Sequence, residues 1–274
     1  MKLGIINGWD EASFKYVADL GLHAVEFCCN FNYDSMEVAG HIDEIKAFSE
    51  KYDVAVGSIG RWGETRIDSN GEIVQSALQH DKNLIDAASA LGCPVFNTGC
   101  NWTEGKTFEE NCAIAIKYFG ELIEYAKGKN VKISVYNCSW ANFVVTEKEW
   151  EPILGALPEL GIKYDTSHCL GRGGDYLHEM ITWGNRINHF HIKGSMYVDG
   201  RPYDDPPAGL DQVNWGAVMN ALYTKGYNGM LSIEPHSGNW MGVRGQWGVE
   251  FTIKFISPYI MPEDYTYNGS PYMP

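Results

Sequence analysis

The stretch 131–234 holds VKISVYN (131–137), IKYD (162–165), INHFHIK (187–193) and GMLSIE (229–234), four short β-rich runs set apart by longer segments. Each gap has room for a helix, and parallel neighbours in a sheet require such a crossover. Working outward, KLGIIN (2–7), HAVEF (23–27), VAVGSI (54–59) and PVFNTG (94–99) extend the same alternation to the N-terminus. The segments 73–92 and 108–129 carry the clearest helical periods: Val74, Leu78, Leu84, Ile85 and Ala88 in the first, Ile114, Ile116, Phe119, Leu122, Ile123 and Ala126 in the second. Gly92 stands where a C-cap glycine closes a helix, and Asn214 is placed to N-cap the segment beginning at Trp215. Eight such units predict an α/β chain folded as a single (β/α)₈ TIM barrel over residues 1–274, a length near the ~250 residues usual for that architecture. An open doubly wound sheet is the alternative, but no Gly-x-Gly-x-x-Gly follows the first strand. Two segments depart from the repeat. They are the loop 195–213 and the tail 262–274, expected to be irregular and to drape over the surface or over a neighbouring subunit of a homo-oligomer.

Composition narrows the functional classes. With 21 Lys and Arg against 35 Asp and Glu, the net charge is −14. That disfavours a nucleic-acid groove, which needs a basic stripe, and an anionic membrane surface. A small neutral ligand or a bound cation suits the charge better. The opening MKLGIINGW has no basic region leading into an apolar one, and no apolar run approaches the ~20 residues of a membrane span. A cytoplasmic location is expected. Seven scattered cysteines without a paired Cys-x-x-Cys fit reduced, buried thiols.

In a parallel barrel, chemistry gathers at the C-terminal ends of the strands. Here the last three strands end on Asp165, His191 and Glu234, groups that an apolar strand tolerates when they are paired or bound to a cation. Carboxylate and imidazole together suit one divalent metal ion, with Mn²⁺ preferred and Mg²⁺, Co²⁺ or Zn²⁺ compatible. Taken singly, each is as well explained by a helix cap or a surface charge. His189 shares a strand face with His191 and is expected one layer deeper, as a hydrogen-bonded barrel histidine. His168 is either a proton carrier or substrate contact at the mouth, or a solvated loop residue. His236, beyond Pro235, is expected at the rim. Trp9, Trp62, Trp102 and Trp140 each follow a strand and together predict an aromatic wall against a sugar, with loop packing as the alternative for each. Glu26, Asn97, Asn137, Lys193 and Arg201 are further polar candidates for substrate binding, and surface ion pairs would account for the charged ones.

The segments YDTSHCLGRGGDYLHEM, HFHIKGS, GLDQVNW and YNGMLSIEPHSG resemble the xylose-isomerase-like sugar phosphate isomerase/epimerase superfamily of barrels, in the same strand order. The resemblance implies one metal held by four strand-end residues, of which Asp165, His191 and Glu234 supply three, and it makes His168 a substrate contact. Where the family has Glu-Asn at the end of the fifth strand, this sequence has Tyr136-Asn137. Family epimerases set two glutamates on opposite faces of a metal-bound sugar, and here Glu234 alone remains. Tyr136 either replaces the missing group as acid or ligand, or forms an aromatic wall. A metal-dependent sugar isomerase or epimerase, taking a proton next to a carbonyl, is therefore the first expectation. A lyase that eliminates an aglycone from a 3-keto glycoside needs only one base and is the second. A non-catalytic sugar-binding barrel is the third.

Overall fold

A computed structural model describes residues 1–263 and 265. The barrel strands are β1 (Lys2–Ile6), β2 (Ala24–Cys28), β3 (Ala55–Gly60), β4 (Val95–Thr98), β5 (Lys132–Tyr136), β6 (Gly161–Asp165) and β7 (Ile187–Ile192). A hairpin of β8 (Met196–Val198) and β9 (Arg201–Asp204) follows, and β10 (Met230–Ile233) is the eighth barrel strand. β10 closes the ring between β7 and β1, and all eight pairings are parallel. Helices fill the intervals, among them Gln75–Ala90 and Phe108–Ala126. The expected helices thus form, shorter by a few residues at their ends. Gly92 follows the first at φ +68°, the left-handed conformation that glycine adopts without penalty. Asn214 caps the helix Trp215–Thr224 by accepting from the Ala217 amide at 3.1 Å.

Period-two alternation sorts the strand residues into two rings. Phe27, Ile59, Phe96 and Ile133 are neighbours in register, as are Tyr164, Phe190 and Leu231. These apolar residues face the helices: Phe27 meets Phe14 of the helix Glu11–Asp19 at 6.3 Å between ring centroids, and Tyr164 meets Trp150 of the helix Glu147–Ala156 at 6.4 Å. Burying each such side chain stabilises the fold by about 1.5–3 kcal/mol. The inner ring is polar, with Glu26, Ser58, Asn97, Ser134, Lys163, His189 and Ser232 all buried. Polar groups withdrawn from water must find partners. Asn97 Nδ2 donates to Ser58 Oγ at 2.8 Å, and His189 Nε2 faces Glu26 Oε2 at 2.8 Å.

A second buried polar group braces the loop after β3. Asp81 Oδ2 accepts from Arg66 Nε at 3.0 Å, from Thr98 Oγ1 at 2.8 Å and from the Tyr118 hydroxyl. The segment 195–213, expected as a loop, contains the β8–β9 hairpin, turned through Asp199 and Gly200 at φ +52° and +73°. Its foot is tied to the loop after β10, where Asp204 accepts from Ser237 Oγ, from Asn239 Nδ2 at 3.2 Å and from Trp240 Nε1 at 3.0 Å. The irregular tail expected at 262–274 lies outside the described residues except at 262, 263 and 265. All seven cysteines are free thiols, and no described helix is long and apolar enough to cross a membrane.

Candidate metal and sugar site

Three strand ends converge at the C-terminal mouth. Asp165 closes β6 and caps the short helix behind it, its Oδ1 accepting from the Ser167 amide at 2.8 Å. Its Oδ2 is buried without a hydrogen-bond partner. Register sets His191 of β7 beside Asp165, and Ser232 beside His191, so Glu234 emerges next to the imidazole. His191 Nδ1 lies 2.6 Å from Glu234 Oε2, and donor atoms of Asp165, His191 and Glu234 all fall within 4.8 Å of one another. On its other side, His191 Nε2 lies 2.9 Å from Glu26 Oε2, which also faces His189. Glu26 therefore stands behind the cluster as an orienting carboxylate, and His189 occupies the deeper layer expected of it.

The charges follow from these contacts. Burial alone would raise the Glu26 carboxyl, yet His189 and His191 hold it well below the usual range. Burial opposes a charged His191, but Glu26 and Glu234 outweigh it and raise its pKa. Glu234 is likewise held low, the His191 contact and the Lys193 charge overcoming its burial. His168, with Nε2 3.5 Å from Asp165 Oδ2, is pushed down to about 4 by burial and is neutral at pH 7. Lys193 stays cationic, because Asp165, Glu234 and Asp205 more than offset its desolvation.

The donor set fits a divalent cation. It offers two carboxylates and an imidazole, a buried carboxylate oxygen without a partner, and a third carboxylate, Glu26, orienting the imidazole from behind. Above it opens a cavity of about 550 Å³ walled by Trp62 and Trp140, with His168, Lys193 and His236 at its edge. The other expected contacts fall elsewhere. Trp9 donates to the Tyr33 hydroxyl at 2.6 Å and stacks on His41, and Trp102 packs edge-on against Phe143. Asn97 lies one layer below, bonded to Ser58. Asn137 clamps β5 to β6, donating to the Asp165 carbonyl at 2.9 Å and accepting from the Asp165 amide at 3.0 Å. Arg201 is exposed on the hairpin.

Tyr136 points inward but past the cluster. Its ring stacks on Trp62 at 5.7 Å and its hydroxyl donates to the Trp140 carbonyl at 3.0 Å. Burial pushes that phenol up to about 12. The group nearest the cluster from this side is Lys163, in register with Tyr136 on β5 and 1% exposed, with Nζ 3.9 Å from Asp165 Oδ2. It is not among the residues that the strand-end pattern singles out, although its place two residues before Asp165 puts it on the same strand face. Cys28, Cys138 and Asn30 also line the cavity and were not anticipated.

A model of the xylose isomerase-like TIM barrel matches residues 14–254, most of the chain. The chain belongs to the xylose isomerase-like TIM barrel family. Among solved structures, a xylose isomerase domain protein from Planctomyces limnophilus superposes with TM-score 0.76 at 15% identity, over 94% of this chain and 96% of that one. The 3-keto-D-glucoside 4-epimerase of E. coli gives 0.73 at 14% identity, over 94% and 99%. D-Psicose 3-epimerase from Clostridium cellulolyticum H10, solved with D-tagatose, gives 0.73 at 17% identity, over 94% and 99%. No curated protein sequence matches the chain. Within the family barrel the site occupies the usual C-terminal face, with chemistry-bearing residues on the closing strands.

Proposed function

We propose that this protein is a metal-dependent sugar isomerase or epimerase that removes a proton from the carbon next to a carbonyl. The observation that carries the reading is the convergence of Asp165, His191 and Glu234, with an unpartnered Asp165 oxygen, where His191 and Glu234 line a cavity with tryptophan walls. The names of the structural neighbours support the same class, since two are sugar epimerases. A divalent ion on these three ligands, Mn²⁺ first, supplies Lewis-acid polarisation of the substrate carbonyl.

The protein supplies the rest. Glu26 fixes the His191 ring so that Nδ1 faces the cluster. Glu234 turns Oε2 toward His191 and the place of the ion, which leaves Oε1, 3.8 Å from Lys193 Nζ, to take the proton. Neutral His168, facing the same cavity, holds a substrate hydroxyl or returns the proton. Trp62 and Trp140 press on the C–H faces of the sugar and exclude water, and Tyr136 buttresses both through its stack and its hydrogen bond.

One observation favours a second reading. Among the described residues lining the cavity, Glu234 is the single carboxylate, and one base suffices for elimination of an aglycone from a 3-keto glycoside. The exposed face of Trp140 at the mouth would receive that aglycone. Incubation of Mn²⁺-loaded protein with a keto-sugar panel in deuterated water separates the readings. Exchange with epimer formation supports the first, and release of an aglycone supports the second. Binding without exchange leaves a sugar-binding barrel.

A further inference from the structure

Two lysines face the cavity with carboxylates near them but out of hydrogen-bond reach. Lys163 is 1% and Lys193 5% exposed, and both line the space above the ligand cluster. The carboxylate oxygens nearest them lie 3.9 Å from Lys163 and 3.7 and 3.8 Å from Lys193. Those are ion-pair separations, longer than the 2.7–3.2 Å of a hydrogen bond to nitrogen. An ammonium carries three donors, and among the described residues neither group has a hydrogen-bond acceptor. Such groups are costly to bury unless something in the cavity accepts from them.

We propose that Lys163 and Lys193 form an anion subsite next to the metal cluster, and that the substrate is a sugar acid whose carboxylate adjoins the reacting carbonyl. This rests on the isomerase reading of the same cavity. Carboxylate is favoured over phosphate by position. Each ammonium lies one contact from a ligand oxygen, so the anion sits beside the carbon that Glu234 addresses, whereas the phosphate of a ketose 6-phosphate is borne at the far end of the chain. The vacated ligand position on β5 fits this arrangement. Tyr136 turns to Trp62 there, and the lysine in register with it presents a cation where the family pattern has a carboxylate.

The test compares three ketoses by calorimetry on Mn²⁺-loaded protein. D-Fructose is neutral, 2-keto-D-gluconate is the same chain with C1 oxidised to carboxylate, and D-fructose 6-phosphate carries its anion remotely. The keto acid is expected to bind about ten-fold tighter than D-fructose or better, a difference of about 1.4 kcal/mol. Lys163→Met and Lys193→Met, made separately, should each cut that ratio by about ten-fold, as loss of one partner of a charged hydrogen bond requires. Circular dichroism and Mn²⁺ uptake check the fold. If Lys163→Met does not fold, the parent ratio and Lys193→Met carry the test. Equal binding of keto acid and D-fructose by the parent overturns the proposal, and so does tightest binding of the phosphate. A keto-acid preference that survives in both variants is chelation by the metal alone and also overturns it. Deuterium exchange on D-fructose without keto-acid preference sinks the subsite and spares the isomerase reading. Lysine-dependent keto-acid preference without exchange on any sugar sinks the isomerase reading and keeps the subsite.

Discussion

Glu26→Gln tests whether a residue that would touch neither metal nor sugar governs the site. The carboxylate is fully buried and faces His189 Nε2 at 2.8 Å and His191 Nε2 at 2.9 Å. Glutamine keeps the shape, but it loses the charge and replaces one acceptor oxygen with a donor. One imidazole N–H then meets an NH₂ group, and the His191 ring loses the partner that aims Nδ1 at Glu234. Loss of such an orienting carboxylate typically weakens metal binding ~10–100-fold. At a Mn²⁺ concentration ~100 times the parent dissociation constant, binding stabilises the parent by ~2.7 kcal/mol. The same concentration would stabilise the variant by ~1.4 kcal/mol if affinity falls ten-fold and by ~0.4 kcal/mol if it falls a hundred-fold. At ~2 °C per kcal/mol for a chain of this length, the Mn²⁺-induced rise in Tm should shrink from ~5 °C to ~1–3 °C. The measured quantity is the shift on adding metal, so any loss of metal-free stability cancels. Calorimetric Mn²⁺ affinity within about two-fold of the parent, far from the expected ~10–100-fold, would refute the orienting role.

Three further outcomes are expected. Glu234→Gln should lower deuterium exchange by ~10²-fold while ketose binding persists, and a loss under ~10-fold would move the base elsewhere, with His168 next. Tyr136→Phe keeps the ring on Trp62 and removes one hydrogen bond, so thermal unfolding should report a loss of ~1 kcal/mol with turnover changed by less than ~10-fold. A ~10²-fold fall in turnover would restore the hydroxyl as acid or ligand. Asp81→Asn leaves the Arg66 guanidinium buried without its counter-charge and should cost ~3–5 kcal/mol, a Tm drop of ~6 °C or more by thermal unfolding. A cost under ~1 kcal/mol would show that Thr98 and Tyr118 hold the loop without the charge.

Much of this arrangement was legible before any coordinate. Each barrel strand lies within two residues of its expected ends, because alternation and flanking helical periods mark short parallel strands clearly. That Asp165, His191 and Glu234 come together was legible for the same reason, since the three stand at the ends of neighbouring strands of the ring. Glu26 was only a weak candidate. Its partners lie 163 and 165 residues away, and that pairing exists only once the ring has closed. The tryptophans show a second limit. All four follow strands, but the loops rotate Trp62 and Trp140 over the cavity and turn Trp9 toward Tyr33 and Trp102 toward Phe143. Sequence spacing gives the loop and not the direction of its side chains. Lys163 was legible in principle, from its two-residue offset to Asp165, and was missed because a lysine within a strand reads first as an outward charge.

The β8–β9 hairpin adds nothing to the barrel ladder. It is joined to the rim chiefly by Asp204 and by Gln212, which exchanges hydrogen bonds with the Tyr197 backbone at 2.8 and 3.0 Å. Its length, turn and exposed faces are thus free to drift, or to be exchanged for another insert, without moving a strand register or a ligand. The Asp165–His191–Glu234 cluster answers to the inner ring, where a single change is felt across the barrel. The border of the mouth answers to two polar clasps. A designer can therefore graft a new border here while leaving positions 204 and 212 in place.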